Sequence, residues 1–164
     1  KTDCIITRCT NNYGPMQFPE KLIPKIIILA SKGKKIPIYG DGKNTRDWIF
    51  VTDHCNAILE ILKSGKSGES YNISANNNIT NLTIAEKILS KMELSSEQIE
   101  FVEDRPGHDL RYALDSSKLR HEMNWSESKN FNDGLDETID WYLNNSDWWN
   151  GLGSNILEST PWKN

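Results

Sequence analysis

The sequence predicts an α/β fold, and three observations carry that expectation. Short runs of β-branched and apolar residues alternate along the chain with stretches whose apolar positions recur every three or four residues. The 164 residues, 37% hydrophobic and 26% charged, hold enough apolar material for a core and fall outside the composition of disordered chains. No internal repeat or low-complexity tract breaks the alternation, and the length fits one domain of about 150 residues.

Each element has its own signal. Cys4 to Thr10 reads as a buried strand, leading into a loop at Asn11-Asn12-Tyr13-Gly14-Pro15. Pro19 and Glu20 open a helix with the stripe Leu22, Ile23, Ile26, Ile27 and Ala30, closed near Gly33, with Pro24 in the first turn where a missing N–H costs little. Ile36 to Tyr39 and Trp48 to Val51 read as two strands joined by a tight turn at Gly40-Asp41-Gly42. Asp53 is expected to cap a helix with Ala57, Ile58, Ile61 and Leu62 on its apolar face, ended at Ser64-Gly65. Tyr71 to Ile73 is a brief strand and Ala75 to Asn81 a loop. Thr83 with Glu86 forms the pattern of a capping box, ahead of a helix burying Ile84, Ile88, Leu89 and Met92. Ile99 to Val102 is the last clear strand. Helices then start at Asp115 or Ser116 and at Asn132, and from Ser146 onward the chain reads as a loosely ordered or partner-docked tail.

Composition excludes several functions. With 19 Lys and Arg against 23 Asp and Glu the net charge is −4, and no block of like charge offers a broad basic face, so no nucleic-acid partner is expected. The longest apolar run, Leu22 to Ala30, contains Pro24 and Lys25 and falls well short of the roughly 18 residues of a membrane span. Cys4, Cys9 and Cys55 include no C-x-x-C pair, which disfavours a disulfide framework or a metal site and suggests a reducing, cytoplasmic compartment. The opening KTDCIITRCT, without an initiator Met or a leader pattern, reads as the continuation of something longer.

Four loop regions concentrate chemistry that a core does not need: Asn11 to Lys21, Pro37 to Arg46, Asn76 to Asn81 and Arg105 to Arg111. Lys21, Arg46 and Arg105 bring the point charge and forked donors that suit a pyrophosphate. Asn11, Asn81 and His108 add neutral or switchable donors, and Tyr39, close to Pro37, offers a flat surface for a nucleobase. The bland alternative at each position is a solvated charge or a turn residue. No G-x-x-G-x-x-G turn is present, and the single Y-x-x-x-K, Tyr39 to Lys43, encloses two glycines that make a helix there expensive by about 1 kcal/mol each. No G-x-S-x-G, H-E-x-x-H or Cys-His pattern occurs either.

Taken in order, RCTNNYGPMQFPEKLIPKII, PIYGDGKNTRDWIFVTDH, GESYNI and EDRPGHDLRYALDSSKL resemble the C-terminal half of the nucleotide-sugar 4,6-dehydratases, extended short-chain dehydrogenases/reductases with a Rossmann-type NAD domain. The RPGHD segment leans toward the dTDP-glucose branch. The resemblance implies that residues 1–15 end the Rossmann sheet, 16–145 bind the nucleotide sugar and 146–164 form a tail. It implies a lyase that converts dTDP-glucose to dTDP-4-keto-6-deoxyglucose. NAD takes a hydride from C4, water leaves across C5 and C6, and the hydride returns to C6. It also implies a homodimer.

By the same resemblance Asn11 contacts the sugar, Lys21 and Leu22 line the nucleotide site, and Pro37 and Tyr39 border the base. Arg46 and Asn81 hold the diphosphate, and Arg105 and His108 complete the phosphate and ribose contacts. The glycine-rich turn, the helical Tyr-x-x-x-Lys pair and the dehydration residues of that family have no counterpart in these residues, so no catalytic residue is assigned and the chain alone is expected to be inactive. Met16, and Ser74-Ala75, depart from the family pattern at loop positions. The alternatives are a UDP-glucose 4,6-dehydratase, a related nucleotide-sugar epimerase or decarboxylase, and a non-catalytic nucleotide-sugar-binding module.

Overall fold

A computed structural model describes residues 2–152 and 154–157. Its strands are mostly parallel. β1 (Ile6–Cys9) runs beside β5 (Ser70–Ile73), with Ile6 opposite Ser70 and Cys9 opposite Ile73. β2 (Asn11–Tyr13) lies parallel to β4 (Thr45–Phe50), and β3 (Ile36–Tyr39) is parallel to β7 (Ile99–Val102). β4 is the hub: its first half also takes β6 (Asn78–Thr80) antiparallel and β8 (Arg111–Tyr112) parallel. The helices are α1 (Leu22–Ser31), α2 (Val51–Ser64), α3 (Asn81–Lys91), α4 (Ser117–Met123), α5 (Phe131–Asn144) and α6 (Ser146–Asn150).

The alternation of a strand explains how β4 divides the core. Trp48 and Phe50 share one face and pack with α1, α3 and α5, whereas Ile49 faces the other way into a cluster with Ala57, Ile61, Tyr71, Ile73, Leu119 and Trp125. α1 runs through the larger cluster and is buried at every position from Ile23 to Ala30, because α3, α5 and β3 surround it. The one-sided stripe expected for this helix is therefore replaced by burial all round. Each fully buried Ile or Leu there contributes about 1.5–3 kcal/mol.

Several local expectations are corrected. Gly40-Asp41-Gly42 does not close a hairpin: β3 and β4 each pair elsewhere, and the turn carries the chain from one sheet to another. The segment Asn11 to Pro15 is not all loop, since β2 takes its first three residues. β1 is not buried; it pairs on one side with β5, and Ile6 stays 54% exposed.

Asp53 does not cap α2, whose N-cap position is Phe50; it lies buried in the first turn and accepts hydrogen bonds from Ser128 N (3.0 Å), Ser128 Oγ (2.6 Å) and Lys129 N (3.2 Å). The cap of α3 is Thr80, not Thr83: its Oγ1 accepts from Thr83 N at 3.1 Å. Asn78 to Thr80 form β6 inside the expected loop. Asn130 caps α5 by accepting from Asp133 N.

The start of the tail is ordered. α6 buries Trp149, whose indole N–H donates to Tyr142 O at 3.0 Å while the Lys32 ammonium sits 4.8 Å from its ring. The remainder of the expected tail, from Glu158, lies outside the described residues.

Candidate functional site

β4 places Arg46 and Trp48 on one face, two residues apart. Beside Trp48, β2 brings Asn11, and the end of β3 brings Tyr39. α1 and α3 contribute their first residues, Leu22 and Asn81, and the loop after β7 contributes Arg105 and His108. These eight side chains line one pocket of about 150 Å3. A second cavity of about 100 Å3 adjoins it, sharing Leu22, Tyr39 and Asn81 and adding Pro37, Ile38, Glu20 and Lys25.

Eight of the nine residues singled out in the sequence thus line these two adjoining cavities. The exception is Lys21, which lines neither: its side chain is 57% exposed and pairs with Glu20 at 3.6 Å. Four lining residues, Trp48, Lys25, Glu20 and Ile38, are not among those nine, and the first two are the informative ones. Trp48 reads as core in any apolar run. Lys25 is 8% exposed, and its only signal was a charge inside the apolar run of α1.

The electrostatics are those of a site for an anion. Arg46 is 8% exposed and its Nη1 donates to the Thr45 carbonyl at 2.8 Å. Burial pulls its guanidinium below the usual arginine range, the neighbouring Arg105 pulls it further, and Asp109 opposes. Neither arginine belongs to an ion pair among the described residues. Two like charges facing one half-buried pocket are unfavourable until an anion lies between them, and a phosphate offers each guanidinium a bidentate match.

Tyr39 has its phenol pushed up chiefly by burial, with Arg105 opposing and Glu20 adding. Its ring meets that of His108 edge-on at 6.3 Å. The donors in the pocket lining, Arg46, Arg105, Asn11 and Asn81, suit holding and orienting an anionic ligand, and the carboxylate of the adjoining cavity is Glu20.

His54, which the sequence assigns no role, braces the site from behind: its Nδ1 lies 2.7 Å from Asn12 Oδ1, next to Asn11, and burial lowers its pKa.

Fold and pocket together define an α/β protein in which two arginines, one on the central strand β4 of a mixed sheet and one on the loop after β7, line a single pocket. The sequence matches the family described as GDP-mannose 4,6 dehydratase over residues 1–138, and the chain belongs to that family. It is 47% identical over 152 residues to a dTDP-glucose 4,6-dehydratase of Streptomyces niveus, covering 93% of this chain and 45% of that one.

Among solved structures it resembles the dTDP-glucose 4,6-dehydratase of Bacillus anthracis in complex with NAD. The TM-score is 0.87 at 49% identity, over 91% of this chain and 47% of that one. A UDP-glucuronic acid 4-epimerase from Bacillus cereus, in complex with UDP-glucuronic acid and NAD, gives 0.80 at 26% identity, over 85% of this chain and 45% of that one. The chain spans about half the length of the relatives it matches.

Proposed function

We propose that these residues form the nucleotide-sugar-binding part of a 4,6-dehydratase acting on dTDP-glucose. The observation that carries this reading is the convergence of Arg46 and Arg105, from segments nearly 60 residues apart, on one pocket walled by Tyr39, Leu22 and Trp48. In this reading the diphosphate lies between the two guanidiniums, with Asn81 as a further donor. The base lies against Tyr39 and Pro37 in the smaller cavity, Leu22 walls the nucleotide, and His108 reaches phosphate or ribose. Asn11 meets the sugar. Lys21, exposed at the rim, acts as a steering charge. Residues 1–15 end the dinucleotide-binding sheet and 16–145 hold the nucleotide sugar.

NAD is the cofactor proposed for the whole enzyme, as it is bound in the dehydratase and epimerase structures that resemble this one. The residues present do not fit it: no glycine-rich turn opens a helix here, so no chemical step through NAD is assigned to them. A homodimer and a cytoplasmic location complete the reading. Among the described residues no helix is long and apolar enough to cross a membrane.

Calorimetric titration of dTDP into the full chain tests the proposal. Arg46→Ala is expected to weaken binding by at least roughly 1.5 kcal/mol, the worth of a hydrogen bond to a charged group. Unchanged affinity would remove Arg46 from the diphosphate site and the proposal with it.

A further inference from the structure

The turn from Gly40 to Asn44, which joins β3 to β4 without closing a hairpin, stands between two walls of the pocket. On one side is the loop from Glu103 to Leu110, which carries Arg105 and His108. Gly40 N donates to Val102 O at 2.9 Å where that loop leaves β7, and Thr45 N donates to Leu110 O at 2.8 Å where it returns to β8. On the other side is the start of α3. Leu82 N donates to Gly42 O and Asn81 N donates to Asn44 O, both at 3.1 Å.

These ties run between main-chain atoms, and any residue but proline supplies them. Asn44 adds a tie that depends on a side chain: its Nδ2 donates to Asp109 O at 3.2 Å. It is the buried polar side chain of the turn, 4% exposed, whereas Asp41 and Lys43 stay exposed and pair with each other at 2.8 Å. One residue thus holds the Arg105 loop through its amide and the first residue of α3 through its carbonyl, two positions before Arg46.

The two arginines differ in how they are held. Arg46 lies within β4, opposite Ile79 on β6 and Tyr112 on β8, and is 8% exposed. Arg105 lies on a loop that is exposed from Glu103 to Leu110 except at His108, which is half-buried and meets the Tyr39 ring edge-on. The bonds that Asp104 accepts from Arg105 N and His108 Nδ1 shape the loop without fixing it to the rest of the chain. A segment with so little buried surface opens at small cost, so one hydrogen bond weighs heavily on how often Arg105 stands at the pocket.

We infer that Asn44 is a positioning residue that latches the Arg105 loop against the turn, so that both guanidiniums reach one ligand. The inference rests on the proposed nucleotide-sugar site and deepens it. The side chain of Asn44 does not line the pocket; it acts through Arg105, and its carbonyl bond to α3 survives any substitution that leaves the backbone in place.

Hydrogen exchange of the full chain, native and Asn44→Ala, reads the latch without a ligand. The Thr45 amide, which donates to Leu110 O beside the latch, is expected to exchange roughly fivefold faster in the variant, the worth of one neutral hydrogen bond, while amides inside α1 keep their rates.

Calorimetric titration with dTDP reads the consequence. Arg105→Ala is expected to weaken binding roughly tenfold in the native chain and less than about threefold in the Asn44→Ala background, where the loop already stands away much of the time. Arg46→Ala is expected to cost at least roughly tenfold in both backgrounds. A merely structural role for Asn44 would change the two arginine losses alike. Asn44→Leu, branched like asparagine but without a donor, repeats both readings if the alanine variant folds poorly. Unchanged exchange at Thr45, or an Arg105→Ala loss of the same factor in both backgrounds, overturns the inference and leaves the nucleotide-sugar site standing. A native chain that does not bind dTDP overturns both.

Discussion

Asp53→Ala probes how α2 and the segment leading into α5 are held together. The carboxylate is buried in the first turn of α2, where it also complements the positive end of the helix, a term of about 0.3–1 kcal/mol. It accepts three hydrogen bonds from Ser128 and Lys129, 75 and 76 positions away. Hydrogen bonds to a charged group contribute about 1.5–3 kcal/mol each. Water reaches the exposed Ser128 once the carboxylate is gone, so the sum is discounted, and we expect a loss of about 3 kcal/mol.

Asp53→Asn retains one acceptor oxygen and is expected to lose about half as much. Urea denaturation followed by circular dichroism reads this as a lower midpoint with an unchanged slope. A loss below about 1 kcal/mol for Asp53→Ala, or an Asn variant less stable than the Ala variant, would refute the clamp.

Two further outcomes are expected. Gly42 has φ +72°, and a Cβ there would stand 2.8 Å from Ile38 Cγ2 and 2.9 Å from Leu82 Cβ. Gly42→Ala should therefore cost at least about 2 kcal/mol and weaken dTDP binding by displacing Tyr39, while near-wild-type stability would show that the turn has slack. Burial raises the pKa of Asp47, and the hydrogen bond from Asn77 N at 2.8 Å only partly offsets it. A raised folded-state pKa means the folded chain holds this proton more tightly than the unfolded chain. The stabilisation from that proton is present below the ordinary carboxylate range and is lost as pH rises through the folded value. Asp47→Asn should flatten that part of the stability profile; an unaltered profile would assign the dependence to other groups.

Local signals were legible where local physics sets the structure. α1 and α2 followed from their apolar stripes, and β3, β5 and β7 from short runs of Ile, Tyr and Val between turn residues. Pairing was not legible. Ile36 to Tyr39 and Ile99 to Val102 form a parallel ladder across some 60 residues, and nothing in either segment names the other, whereas Gly40-Asp41-Gly42 suggested a hairpin that does not form.

The cap of α3 is Thr80, where the sequence pattern points to Thr83, for a specific reason. Thr80 and Thr83 lie one turn apart with their hydroxyls 2.8 Å from each other, and Glu86 favoured the wrong one. Asp53 reads in the sequence as the cap of α2, but it sits inside the first turn and its partners come from a distant loop.

The residues that converge on the two cavities stand out by chemistry in segments the sequence reads as loops, although the structure puts Asn11 on β2, Arg46 on β4 and Asn81 at the start of α3. Lys21 and Lys25, four positions apart on either side of the start of α1, could not be ranked without knowing that the helix is surrounded. That surround brings Lys25 into the wall of the smaller cavity and leaves Lys21 at the rim.

The most direct measurement is a crystal structure of the full chain with dTDP. The account predicts both phosphates between Arg46 and Arg105 and the thymine ring against Tyr39. Density for the nucleotide elsewhere, such as the 460 Å3 cavity beside Trp149, with the two guanidiniums left facing each other, would contradict it.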